Sequence, residues 1–128
     1  MTIRVDLAAA LDEAAEASIG DVSVFAEEPT GPPATPALIL TPGTPYRVRA
    51  SVNGGPTCLE TWRLRVLAVV PIDAAGRLDQ LDALADVVRD VIAATPNARY
   101  LGVADAPVER AIGNKPMYAA LVDVELTG

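Results

Sequence analysis

Histidine is absent from this sequence, cysteine occurs once, and aromatic side chains make up only 4% of the residues. Without an imidazole, histidine-based acid–base chemistry and the common zinc sites are excluded. The single cysteine, Cys58, has no partner for an internal disulfide, so the fold does not depend on an oxidising compartment. Cations are in deficit: 10 Lys and Arg stand against 17 Asp and Glu, a formal net charge of −7. That balance argues against a general nucleic-acid binder, which carries a basic excess, but leaves room for a local basic patch. No apolar run approaches the roughly 20 residues of a membrane-spanning helix. The opening "MTIRVDLAAALDEAAEA" has acids inside its apolar part, unlike a signal peptide. Synthesis and folding in the cytosol, in a bacterial or viral setting, are the expectation.

What is present is a chain of 128 residues, 51% apolar, with a core to be built from Val, Leu, Ile and Ala. This length suggests one domain, residues 1–128. Ile3, Leu7, Leu11, Ala14 and Ala15 recur at helical spacing, with Asp6, Asp12, Glu13 and Glu16 mostly opposite. They predict a first helix from about Thr2 or Asp6 to Ser18, stopped by Gly20. "VSVF", Val22 to Phe25, reads as a short strand, and the prolines of Glu27–Pro36 make that segment a loop. "ALIL", Ala37 to Leu40, reads as a buried strand, "TPGTP" as a turn, and "YRVRASV" as a second strand. In that strand Tyr46, Val48, Ala50 and Val52 point inward, and Arg47, Arg49 and Ser51 outward. "NGGPT", Asn53 to Thr57, is a hairpin turn.

Beyond it, "CLETWRLRVLAVVP" changes character halfway. Cys58, Trp62 and Leu64 alternate with Thr61, Arg63 and Arg65, whereas Val66 to Val70 is apolar on both sides. Trp62, on the apolar side, is expected in the core. A second helix follows, with Asp73 as a candidate N-cap. Its apolar stripe is Leu78, Leu81, Leu84, Ala85, Val88, Val91 and Ile92, opposed by Asp79, Asp82, Asp86 and Asp90, and it ends near Thr95-Pro96-Asn97. Arg99–Asp105 reads as a strand, "APVERAIGNKP" as a turn-rich excursion or small hairpin, and Met117–Thr127 as the last strand. The order implies an α+β fold, a mixed or mostly antiparallel sheet flanked by two main helices on one face. The strands around the second helix have the option of pairing in parallel through a right-handed crossover.

No P-loop or dinucleotide fingerprint occurs, and no Ser-His or Cys-His pair exists. A buried structural cysteine accounts for Cys58, and solvated helix faces account for most carboxylates. The arginines carry more information. A hairpin with Val52 opposite Cys58 sets Arg47 opposite Arg63, with Arg49 and Arg65 nearby, and like charges face to face are unfavourable. In the last strand Asp123 and Glu125 lie on the side opposite Tyr118, Ala120, Val122, Val124 and Leu126. Antiparallel pairing of this strand with Cys58–Pro71 brings the two wet ends together. Asp123 and Glu125 then stand beside Arg63 and Arg65; the alternative is an acidic partner from another chain. Arg47, Arg49, Arg63, Arg65, Asp123 and Glu125 are thus the candidate assembly surface. No catalytic, cofactor or metal residue is nominated.

The succession of an amphipathic helix, "DVSVFAEEPTGPPATPALILTPGTPY", "CLETWRLRVLAVVP", "RLDQLDALADVVRDVI" and "YAALVDVEL" resembles the tail terminator (tail completion) proteins of long-tailed bacteriophages. Those of actinobacterial hosts are the nearer likeness, and the Ala-, Val- and Arg-rich composition fits such genomes. The resemblance covers nearly the whole chain and rests on element order and local flavour such as "PALIL.PG.PY". It implies a non-enzymatic virion protein without cofactor, assembled in the host cytoplasm and located at the head–tail junction. It also implies a ring, usually of six subunits, between the tail tube and the head-completion proteins. DNA passes through such a ring without being gripped, which favours protein contacts for the arginines. A ring needs two different side surfaces, and Glu27–Pro36 and Asp105–Pro116 are candidate contact loops. Another neck or minor tail component (a head-closure or adaptor protein) and a bacterial α+β enzyme or small-ligand-binding domain are the competing readings.

Overall fold

A computed structural model describes residues 3–51, 58–103 and 106–127; the side chains at 44, 45, 48–51, 58 and 59 are outside that description. The Asn53–Thr57 turn, Val52, Asp105, and the side-chain assignments of Val48, Arg49, Ala50, Ser51 and Cys58 lie outside the described residues. Among the described residues two helices and six strands follow in the order α1 (Ile3–Ser18), β1 (Ser23–Phe25), β2 (Ala37–Ser51), β3 (Cys58–Pro71), α2 (Arg77–Ala94), β4 (Ala98–Val103), β5 (Val108–Ile112) and β6 (Lys115–Thr127). The architecture is α+β, with a mixed, mostly antiparallel sheet. No helix of the described residues is long and apolar enough to cross a membrane.

Both helices lie on one face of the sheet because each carries a single apolar stripe. Leu7, Leu11 and Ala15 of α1 are buried at four-residue intervals. In α2 the buried set is Leu81, Leu84, Ala85, Val87, Val88, Val91 and Ile92. These residues join Leu38, Leu40, Leu64, Val66, Ala68 and Val70, and Ala120, Val122, Val124 and Leu126, in the main core. Each fully buried leucine contributes about 1.5–3 kcal/mol relative to an exposed one. Leu78 is an exception to the expected stripe: at the first turn it overhangs the core and is 53% exposed.

The helix ends follow backbone geometry more than side-chain caps. The amides of Ile19 and Gly20 both donate to the Ala15 carbonyl, and Gly20 has φ 118°, so it stops α1 as expected. Asp73 is not the N-cap of α2. The helix starts four residues later, with Gly76 at the cap in left-handed geometry (φ 66°) and no capping side chain. The first turn is held differently: Arg77 donates to the Ile72 carbonyl at 2.7 Å and stacks over the Tyr118 ring at 4.0 Å. At the other end Thr95 Oγ1 donates to the Val91 carbonyl.

The sheet order is β1-β2-β3-β6-β4, with β5 also pairing β6. Among the described residues only β1 and β2 pair in parallel. The strands flanking α2 do not take the option of pairing in parallel: β6 lies between β3 and β4, antiparallel to both. The reason is hydrophobic matching. The Val66–Val70 segment is dry on both faces and takes a neighbour with buried Ala119, Ala120 and Val122, whereas β4 alternates half-buried and exposed positions and suits an edge.

Residues 37–51 form one long strand, not two strands parted by a turn. Its pairing with β3 slips between Pro42 (opposite Leu64) and Arg47 (opposite Trp62). Residues 43–46 of β2 there face Arg63 alone. An odd excess of residues reverses which side chains face the helices. Gly43 makes the crossing possible: a Cβ there would lie 2.9 Å from the Arg63 carbonyl oxygen.

A second, smaller core lies on the face away from the helices. Ala37, Ile39, Leu67, Val69, Ile112, Met117 and Ala119 form it, with Phe25 and Leu121 packed against them. The proline-rich segment helps close this core, since Pro33 is buried. Its Gly31–Pro32 backbone runs so close to Gly113 that a Cβ at Gly113 would collide with it. Gly113 and Asn114 both have positive φ (59° and 66°), the geometry of a tight two-residue hairpin joining β5 to β6. Thus the turn-rich excursion is a hairpin, and the segment Glu27–Pro36, expected to be a free contact loop, is partly a lid on the sheet.

Candidate functional site

The face away from the helices, called the outer face below, carries charge at one end of β3 and β6. Their antiparallel register sets Arg63 opposite Glu125 and Arg65 opposite Asp123. Arg63 Nε donates to Glu125 Oε2 at 3.2 Å. Arg65 Nε lies 3.1 Å from Asp123 Oδ1, a charge contact without hydrogen-bond alignment. Arg99 of β4, opposite Glu125 on the other side, reaches its Oε1 at 3.5 Å. Glu125 therefore sits between two guanidinium groups and is only 13% exposed, while Arg63 and Arg99 are 45% and 73% exposed. Arg99 was missed in the sequence, although its spacing from the end of α2 was visible; only the placement of β6 between β3 and β4 makes it a member of the ladder. Because the arginines are well exposed, each pair is worth under about 1 kcal/mol.

The other predicted arginines separate from this group. The like-charge stack of Arg47 on Arg63 does not form. The β2–β3 register differs by one residue from that expectation, so Arg47 stands opposite Trp62 and the backbone of Arg49 opposite Glu60. Trp62 belongs to the alternation of Leu64 and Val66, so Arg47 is on the helix side of the sheet. There its guanidinium lies 4.5 Å from the Trp62 ring centre and its Nη2 donates to Glu60 Oε1 at 2.6 Å. Tyr46 meets the same indole edge to face, ring centres 5.5 Å apart. Trp62 is half-buried in this stack and is not one of the core side chains. Of the predicted residues, Arg63, Arg65, Asp123 and Glu125 stand together on the outer face and Arg47 on the helix side, while Arg49 is described by its backbone position alone.

Two hydroxyl contacts frame the ladder. Thr41 Oγ1 donates to the Arg65 carbonyl at 3.0 Å, and the Thr61 and Thr127 hydroxyls are 3.2 Å apart. Beside the ladder, Leu101 is 44% exposed and borders the hollow lined by Gly43, Arg63, Arg65 and Asp123. Farther along, Leu67, Ala106, Val108, Arg110, Ala119 and Leu121 line an apolar hollow of about 200 Å³. On the helix side of β4, burial raises the Tyr100 phenol above its ordinary pKa, with Arg89 opposing the shift. Among the described residues no group of three His, Cys, Asp or Glu side chains is arranged to hold a metal ion. The arrangement offers recognition chemistry: guanidinium donors, shared carboxylates and adjacent apolar ground.

No protein-family model matches the chain, and no curated protein is significantly similar to it.

Proposed function

We propose that this chain is a structural virion protein without catalytic activity, a tail terminator that forms a ring at the end of a phage tail tube. What supports the reading is the element order along nearly the whole chain, on which the resemblance rests: an amphipathic helix, a proline-rich segment leading into a long antiparallel strand pair, an Ala/Asp/Leu/Val helix and a closing strand follow one another. A ring of six copies, a tail-tube protein on one side and a head-completion protein on the other belong to this proposal, as does location at the head–tail junction. DNA traverses the ring without specific contacts. The two faces of the sheet differ in chemistry, which supports a subunit with two unlike side surfaces.

The test is deletion of the gene from the phage that encodes it. Tails of irregular, excessive length that fail to join heads, corrected by a supplied copy, are the expected outcome under electron microscopy. Tails of normal length joined to heads sink the reading. Tails of normal length left unjoined point instead to another neck component.

A further inference from the structure

We infer that the outer face of the sheet binds the acidic helix layer of a second copy of this chain, in a head-to-tail contact. The two surfaces lie on opposite sides of the subunit and differ in charge. Among the described residues, the ladder and the hollow on the outer face carry Arg63, Arg65, Arg99 and Arg110 against Asp123 and Glu125, a formal balance of +2 for that patch, with Lys115 on the same side of β6 and Glu27 and Glu28 exposed on the proline-rich segment that borders it. The helix layer presents eight exposed carboxylates, four on α1 and four on α2, against Arg4, Arg77 and Arg89, a formal balance of −5. The helix layer is therefore acidic, and the patch on the outer face is basic.

Apolar ground accompanies the charge on both sides. The outer face exposes Leu101 and Val108 (44% and 58%) beside the Leu67–Leu121 hollow. The helix layer exposes one large aliphatic side chain on each helix, Val5 (54%) and Leu78 (53%). A second helix layer on the outer face would cover the remaining open half of the sheet, as in folds with helices on both faces. Sheet-to-sheet contact would bring cation against cation, and helix-to-helix contact carboxylate against carboxylate; like-charge juxtaposition suppresses both. Only the heterologous arrangement is complementary, and such a contact closes into a ring or propagates as a filament. This inference rests on the self-association within the proposed function and not on the tail-end role.

Two exposed double variants test it. The sheet-face variant is Arg99→Glu with Arg110→Glu, and the helix variant is Asp82→Arg with Asp86→Arg. Circular dichroism and thermal melting check that each folds. Sedimentation velocity and light scattering then follow association from micromolar to millimolar concentration at low and high salt. Wild type is expected to associate, less at high salt. Each variant alone is expected to associate at least about tenfold more weakly, because reversal places like charges across the contact. An equimolar mixture is expected to regain association, since the unaltered surfaces of the two variants are complementary and the two reversed surfaces again carry opposite charge. A wild-type chain that stays monomeric throughout, a helix variant that associates like wild type, or a mixture that associates no more than either variant alone overturns the inference. Gene deletion is read separately: the contact stands or falls on association, and the terminator role on tail length.

Discussion

The two halves of β3 share a backbone and the same two neighbours, β2 and β6, but meet different surroundings. From Val66 to Val70 the strand is buried on both faces, under the helices on one and under the second core on the other. From Glu60 to Arg65 only Leu64 is buried, and the outer face is held by ion pairs. The difference teaches where stability and recognition reside. Close-packed burial gives kilocalories for each side chain, whereas exposed charge pairs give tenths. The wet half is free to change its charge partners because the fold does not depend on them.

Breaking the dry half has the largest expected effect. Leu67→Ala removes a side chain that is 1% exposed in the second core, and equilibrium urea unfolding is expected to report a loss of about 2–5 kcal/mol. An effect below 1 kcal/mol would mean that the outer core is loosely packed. At the junction of the halves, Gly43→Ala forces a Cβ onto the Arg63 carbonyl. It is expected to cost about 1–3 kcal/mol by the same measurement; an unchanged midpoint would mean that β2 crosses β3 elsewhere. In the wet half, Arg47→Ala removes the stack on Trp62 and the Glu60 contact. A loss of about 0.5–1 kcal/mol and a change in Trp62 fluorescence are expected. The smallest effect is that of Glu125→Gln, under about 1 kcal/mol because Arg63 and Arg99 are well exposed. A double-mutant cycle of Glu125→Gln with Arg63→Gln measures that coupling, which should shrink in high salt.

Much of this layout was legible in the chain. The apolar stripes of both helices were visible as 3.6-residue periodicity. The wet and dry ends of "CLETWRLRVLAVVP" and "YAALVDVEL" sufficed to pair β3 with β6, because a strand with one charged end needs a neighbour charged at the same end. The Arg63–Glu125 and Arg65–Asp123 pairs follow from that match. The position of Arg47 was not legible. Alternation within "YRVRASV" fixes relative sides, but which side meets the helices depends on the excess of residues between Pro42 and Arg47. Likewise Asp73 had the chemistry of a cap, but the turn after Pro71 delays α2 to Arg77.

The sequence by itself determined both helices and the strands β3 and β6 with their main apolar faces, since spacing along a strand or helix is set by backbone geometry within a few residues. It also determined the excess of acid on both helices and the scarcity of groups for histidine or disulfide chemistry. Only the tertiary structure decided that β6 lies between β3 and β4, that Arg99 shares Glu125, and that the proline-rich segment closes a second core. These outcomes depend on contacts between residues far apart in the chain. Among them are Gly43 against the Arg63 carbonyl and Gly113 against the Gly31–Pro32 backbone. Local periodicity contains no term for whether two backbones fit side by side, and that fit set the register.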